Sequence, residues 1–400
     1  MTEPYGRKNR PGSDQAFACL AVLPPGLEGA GAAELANLGA EAVQPLRRAV
    51  RCHTDLATYY RLHLRARLPF RLLRQLATFP CRGRTDLYDG VQRATDWSRW
   101  LPPELSFRVD ASGSTPGLNH SHYNALQVKN ALVDWQRQYW GQRSSVDLDA
   151  PDLALHLHLS PGRPGQTPQA TLSLDGSGDS LHRRGYRAAM GLAPLKENLA
   201  AGLIQLTGWD GSVPLVDPLC GSGSLLIEAA GMALGHQPGL TRRFALERWP
   251  DFDGHLWAQE VEAAGALERE RLADGRPLAP IVGNEADPAV LAQARANAEA
   301  AGLSAWLQFR GGDCRNFQPP PGPGLLVCNP PYGERIGERE QLEQLYADLG
   351  AMVKERCGGW DLWLLSGNPE LTGALRMKAS RRIAVSNGGI DCRWLHYAIR

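Results

Sequence analysis

From residue 214 onward the chain alternates short apolar runs with amphipathic stretches, and no other feature constrains its fold as tightly. The runs at 214–217, 279–283, 306–310, 325–328 and 361–365 have strand length. Helical stretches separate them. Residues 221–233 form one. A second opens on Asp287 as N-cap with Pro288 at N1 and closes on the C-cap glycine Gly302. A third, 341–357, sets Leu342, Leu345, Tyr346, Leu349, Met352 and Val353 on one face. Strand and helix in alternation predict a doubly wound parallel sheet. Ligands of such sheets bind beyond the carboxyl ends of the strands, and Asp217, Glu285, Asp313 and Asn329 all fall at those ends.

The front half has a different rhythm. Residues 17–23 read as a strand, 26–38 and 55–66 as helices. Residues 124–139 place Leu126, Val128, Ala131, Leu132 and Trp135 at helical spacing. Residues 153–159 alternate leucines with His156 and His158, as a half-buried strand does, with the histidines on a solvated face; 171–174 can pair beside it. The expectation is an α+β region without a catalytic signature, and an α/β chain as a whole. Four hundred residues exceed one ordinary core, so two or three domains are expected.

The formal net charge of +1 conceals an asymmetry. Residues 1–200 carry 24 Lys/Arg against 18 Asp/Glu, residues 201–400 carry 19 against 24, and residues 51–100 alone carry 10 against 4. Concentrated positive charge suits a polyanion-binding surface, and it equally suits an arginine-rich face in water. The eight cysteines include no two within four residues of each other, so no zinc knuckle or redox pair is written locally. Free thiols and no metal are expected. Residues 1–15 are polar and rich in Gly and Pro, without the apolar core of a secretory signal. They read as a disordered tail. No run is long and apolar enough to span a bilayer, and the cytoplasm is the expected location.

The stretch Val216-Asp217-Pro218-Leu219-Cys220-Gly221-Ser222-Gly223-Ser224 puts two glycines after a strand, where backbone can approach a ligand at a helix N-terminus. A phosphate loop would need Gly-Lys-Ser/Thr, which is absent. A dinucleotide fingerprint would need a third glycine where Leu226 stands and an acid about twenty residues on, whereas the next strand-end acid is Glu285. The chemistry that fits is that of S-adenosylmethionine. Its carboxylate needs amide donors, which the glycine loop offers. Its two ribose hydroxyls need an acid, which Glu285 offers, and its adenine amine needs an acceptor, which Asp313 offers.

Asn329-Pro330-Pro331-Tyr332 is the most specific motif. Each proline removes a backbone donor. Asn329 and Pro330 both precede a proline and are pushed to extended conformations. The Asn329 side-chain oxygen and the Pro330 carbonyl are thereby turned outward as two acceptors. Two converging acceptors can hold a planar exocyclic amine, aim its nitrogen at a methyl sulfonium and stabilise the positive charge that develops. Tyr332 can stack on the base, which must be flipped out or single-stranded.

At these residues the chain resembles the THUMP-domain methyltransferases of bacteria that make N2-methylguanine in 23S ribosomal RNA. The resemblance runs from about Phe17 to the end. It is carried by Leu174-Asp175-Gly176-Ser177-Gly178-Asp179, by Leu181-His182-Arg183-Arg184-Gly185-Tyr186-Arg187 and by Ala193-Pro194-Leu195-Lys196-Glu197. The glycine loop followed by Ile227-Glu228-Ala229-Ala230 carries it further, with Ala294-Arg295-Ala296-Asn297-Ala298 and Asn329-Pro330-Pro331-Tyr332-Gly333-Glu334-Arg335. It implies a ferredoxin-like subdomain over 16–65, a THUMP RNA-binding domain over 66–160, a linker over 161–189 and a class I methyltransferase domain over 190–400. It further implies that Pro194, Leu195 and Glu197 close over the cofactor and that Asp217, Gly221 and Gly223 line its methionine end. The family often has Asp at the position of Glu285 and Thr at that of Ser224; both exchanges keep the chemistry. Some relatives are fused to a second methyltransferase, and because the sequence stops at Arg400 a single activity is expected. Guanine-N2 methylation of transfer RNA, adenine-N6 methylation of RNA, and an RNA-binding protein without catalysis are the alternatives.

Overall fold

The computed structural model describes residues 16–162, 165–187, 195–332 and 339–400. Fourteen strands among them build two seven-stranded sheets.

The first sheet contains β1 (Phe17–Val22), β2 (Glu41–Leu46), β3 (Ala49–Thr54), β4 (Arg71–Pro80), β5 (Phe107–Gly113), β6 (Leu153–Ser160) and β7 (Gln169–Asp175). Their order is β2-β3-β1-β4-β7-β6-β5. Every pair is antiparallel except β5–β6. The ten-residue β4 makes one sheet of two modules: its first four residues pair with β1 while Leu73 to Pro80 pair with β7. Within the stretch expected to be a linker, 169–175 forms β7, so the suggested pairing beside 153–159 is realised. His158 is exposed and His156 half-buried, as the alternation suggests, and Ser112 Oγ on β5 lies 3.2 Å from His156 Nε2 and 3.0 Å from His158 Nδ1. Burial lowers the pKa of both imidazoles.

The second sheet contains β8 (Leu215–Asp217), β9 (Ile281–Glu285), β10 (Leu307–Gly311), β11 (Leu325–Cys328), β12 (Asp361–Ser366), β13 (Arg381–Asn387) and β14 (Ile390–Ala398). Their order is β10-β9-β8-β11-β12-β14-β13. The five strands read from the sequence are parallel, as expected. The sheet as a whole is mixed, because β14 runs antiparallel to both β12 and β13. The strand order reverses between β8 and β11, and that is the switch point where a doubly wound sheet opens a crevice. The cap reading of the helix Pro288–Ala300 holds: the Asp287 side chain accepts from Ala289 N and Val290 N, and Gly302 takes φ +70° just past the end.

The two halves do not form separate cores. Phe244, Leu246, Trp249 and Ala264, from the long crossover between β8 and β9, are buried in the core of the first sheet. Trp249 stacks on Tyr59 and Trp257 stands edge-on to Tyr60. In return Leu27 is buried in the core of the second. Arginine is the other fastener. Of the ten arginines in 51–100, Arg61, Arg67, Arg71, Arg74, Arg93 and Arg99 form ion pairs. Four of these reach acids of the second half, including Arg61 to Glu260 at 2.7 Å and Arg74 to Asp251 at 2.7 Å. Much of the charge excess in this stretch is therefore spent inside the molecule. All eight cysteines are free and buried. Among the described residues no helix is long and apolar enough to cross a membrane.

Candidate active site at the switch point

Asp217 ends β8 and is 2% exposed. Burial pushes its carboxyl up to about 8; the Leu219 N–H, donating to Oδ1 at 3.0 Å, opposes this and the nearby Glu285 adds to it. The loop beyond is held to the neighbouring strand end. Cys220 N donates to Asn284 O at 2.9 Å, and Gly221 N donates to Glu285 Oε2 at 3.0 Å. Glu285 Oε1 accepts from Asp287 N at 3.0 Å. The sequence-predicted partners are thus brought together, with the acid seated directly on the glycine loop. Gly221 has φ +53° and nothing within 4 Å of where a Cβ would stand, so that side of the loop is open. Gly223 has φ +82°, and a Cβ there would lie 3.2 Å from the Phe309 ring. A side chain is strained at both positions.

Asp313 lies two residues past β10 on the same edge, but its carboxylate is engaged. It accepts from Arg315 N at 2.9 Å, Nε at 3.0 Å and Nη2 at 2.6 Å, and these bonds hold it below the usual carboxylate range. A groove of about 430 Å³ runs beside it, lined by Arg315, Gln341, Gln344 and Asp348.

β11 pairs with β8 through Leu325↔Leu215 and Leu326↔Val216, so Asn329 leaves the sheet beside Asp217 and two residues further along. All four residues of β11 are buried. The Asn329 Oδ1 is itself buried and has no hydrogen-bond partner among the described residues. Leaving such an acceptor unmade costs about 1–3 kcal/mol, and Asn329 Oδ1 shares this state with Asn124 Oδ1 and Asn198 Oδ1. Tyr332 is half-buried. Its hydroxyl accepts from Asn387 Nδ2 at 2.7 Å and its ring lies over Gly367, where a Cβ would come within 3.1 Å. Burial pushes its phenol up to about 12. These contacts hold the ring in place.

Pro194 lies outside the described residues, as does 333–335. Leu195 is buried, and Glu197 opens the helix Glu197–Thr207. Sequence reading assigned no role to the arginines that hold them. Arg187 Nη2 donates to Leu195 O and, at 2.8 Å, to Ser224 Oγ; Arg187 Nε lies 3.2 Å from Glu197 Oε1. Burial raises the pKa of Glu197 and Arg187 opposes it. Behind the glycine loop, Glu228 is 3.6 Å from Arg67 Nη1 and 3.5 Å from Arg184 Nε, and Tyr186 donates to it at 3.3 Å. The one sequence signal was the stretch 181–187, which carries the resemblance and places three arginines within five residues.

The site is a glycine loop, a seated acid and an amide oxygen without a partner among the described residues, at one switch point. The methyltransferase model described as RMKL-like matches residues 184–396. The chain belongs to that family. A THUMP domain matches 84–163 and the RlmL ferredoxin-like domain matches 18–73. Slr0064 of Synechocystis sp., by name an RNA methyltransferase, is 41% identical over 95% of this chain and 96% of its own length. The ribosomal RNA large subunit methyltransferase K/L of Pseudomonas entomophila is 39% identical over 96% of this chain. The chain spans 52% of that relative's length. The solved structure of SMU.472, by name a methyltransferase and in complex with SAH, superposes with a TM-score of 0.83 at 28% identity, over 97% of this chain and 99% of its own. The family resemblance and the α/β class read from the sequence are both borne out.

Proposed function

We propose that this RMKL-like methyltransferase transfers a methyl group from S-adenosylmethionine to the exocyclic N2 amine of a guanine in 23S ribosomal RNA. The observation that carries the reading is the buried Asn329 Oδ1 at the switch point, which has no hydrogen-bond partner among the described residues.

The residues present fit the cofactor. Gly221 leaves an open face of backbone for its methionine end. Each Glu285 oxygen accepts one backbone N–H and keeps a lone pair for a ribose hydroxyl. Asp217, buried and reluctant to ionise alone, gains a reason to do so beside an ammonium. Leu195 and Glu197 close over it, and Arg187 holds both in place. Asp313 can take the adenine amine through the one lone pair on Oδ2 that Arg315 leaves free. When bound, the cofactor supplies an electrophilic methyl group. Asn329 Oδ1 then accepts one N–H of the target amine and the Pro330 carbonyl the other. This aims the nitrogen lone pair and offsets the positive charge that grows on it. The fixed ring of Tyr332 offers a face for the flipped base.

RNA as substrate is supported by the THUMP match and by the names of the relatives. Incubation with isotope-labelled cofactor and either ribosomal or transfer RNA, followed by nucleoside mass spectrometry, tests the whole reading. The expected product is N2-methylguanosine in 23S RNA. Label in N6-methyladenosine, or in transfer RNA alone, overturns the assignment of base or of RNA.

A further inference from the structure

The helix Ser121–Trp140, within the THUMP match, ends in an aromatic corner. Trp135 and Tyr139 are one turn apart and stack almost parallel, with centroids 4.9 Å apart and planes 11° from each other. Trp140 stands at right angles to both, at 5.3 and 5.1 Å. The base of this corner is fixed. Gln136, on the same helix and fully buried, donates to Leu101 O at 2.8 Å and to Ser144 Oγ at 2.7 Å, and accepts from Ser144 N at 3.0 Å. Gly141, with φ +69°, caps the helix by donating to Arg137 O. Yet Tyr139 is 62% exposed: one face of its ring lies on the Trp135 indole and Trp140 stands beside it, and most of the side chain remains accessible.

We propose that this corner is a stacking site for one unpaired RNA base, which extends the Trp135–Tyr139 pile on the open face of Tyr139 with Trp140 as a side wall. The inference rests on the reading of RNA as substrate. The charge around the corner selects RNA over a protein partner. Residues 121–145 contain Lys129, Arg137 and Arg143 against one acid, Asp134, and Tyr88 donates to that acid at 2.8 Å. Arg137 and Arg143 lie within four residues of Tyr139 and have no ion pair among the described residues, which leaves them for flanking phosphates. The arginines of 51–100 contrast with them, since six of those pair with acids of this chain. A rigid aromatic face beside unpaired cations holds a single strand without reading its sequence, because every base has a π-face.

The test uses the full chain and a dye-labelled single-stranded RNA oligonucleotide of mixed sequence, with a duplex of equal length beside it, read by fluorescence anisotropy. Tyr139→Ser should weaken single-strand binding about 5- to 150-fold, the range of one lost base stack. It should leave duplex binding and SAH binding unchanged. Tyr139→Phe should retain wild-type affinity. Leu272→Ser, which removes an apolar side chain that is 46% exposed elsewhere, should change nothing. Wild-type affinity for the single strand with an unaltered Tyr139→Ser value overturns the stacking site and leaves RNA as substrate standing. Loss of self-association in sedimentation, with RNA binding intact, overturns it in favour of a second copy of the chain on this face. A wild-type protein that binds neither RNA overturns both readings together.

Discussion

The two sheets have seven strands each and handle chemistry in opposite ways. In the second, β8, β9, β10 and β11 are parallel, so all end on one edge, and Asp217, Glu285, Asp313 and Asn329 converge there although more than a hundred residues separate the first from the last. In the first, neighbours are antiparallel apart from β5–β6, so successive strand ends alternate between edges and no comparable set gathers. What that half offers a ligand lies on helices and their ends, as the Trp135–Tyr139 pair does. A parallel sheet concentrates groups at a point; an antiparallel one presents a surface.

The joint between the sheets is where the comparison can be broken most severely. Glu228 is 3% exposed and faces Arg67, Arg184 and Tyr186. Glu228→Ala leaves two buried guanidinium groups uncompensated and should lower the unfolding free energy by about 3–5 kcal/mol, measured by urea denaturation followed through tryptophan emission. A loss under about 1 kcal/mol would mean that shared apolar cores, and not this pair, hold the halves together.

Next in size is the convergence itself. Asn329→Ala should reduce the single-turnover rate of methyl transfer by about two to three orders of magnitude, the usual result of deleting one preorganised polar contact. SAH affinity and RNA affinity should stay near wild type, and Asn329→Asp, which keeps an acceptor, should retain more activity than Ala. A folded Asn329→Ala enzyme with an undiminished rate would remove the acceptor site.

Glu285→Ala should weaken SAH binding by roughly 1.5–3 kcal/mol, the range for hydrogen bonds to a charged group. It also frees the Gly221 N–H that Glu285 now anchors. An unchanged dissociation constant by calorimetry would make Glu285 a brace for the loop alone.

The smallest effect is a pH dependence. The pKa of Asp217 in the fold, about 8, lies above the ordinary value near 4. Its stabilising contribution as a neutral acid is complete below pH 4 and is lost as pH climbs toward 8. A cofactor ammonium requires the ionised form, so SAH affinity should rise about tenfold between pH 6 and pH 7 and level off near 8. Asp217→Asn should flatten that profile; a wild-type profile already flat would mean that Asp217 does not meet the ammonium.

The second half was largely legible because its signals are local. Asn329-Pro330-Pro331-Tyr332 fixes its own backbone, Asp287 and Gly302 punctuate one helix, and buried parallel strands read as continuous apolar runs. The mixed character of the sheet was not legible, since nothing local in 381–398 says which neighbour a strand will meet. The helix Gly254–Ala273 was also missed: only Glu260 and Ala264 are buried, so its apolar periodicity is faint. Nor did spacing reveal that Arg315 would occupy Asp313.

The sequence by itself determined the class of fold, the glycine loop, the strand-end acids and the Asn-Pro-Pro-Tyr motif after β11, because covalent geometry and hydrophobic period act over a few residues. Only the tertiary structure decided which charges are free. Arg61, Arg67 and Arg74 are indistinguishable in composition from Arg137 and Arg143, yet the first three meet Glu260, Glu228 and Asp251 across the joint. Coulomb attraction depends on distance in space and on burial, and neither is written in the order of residues along a chain.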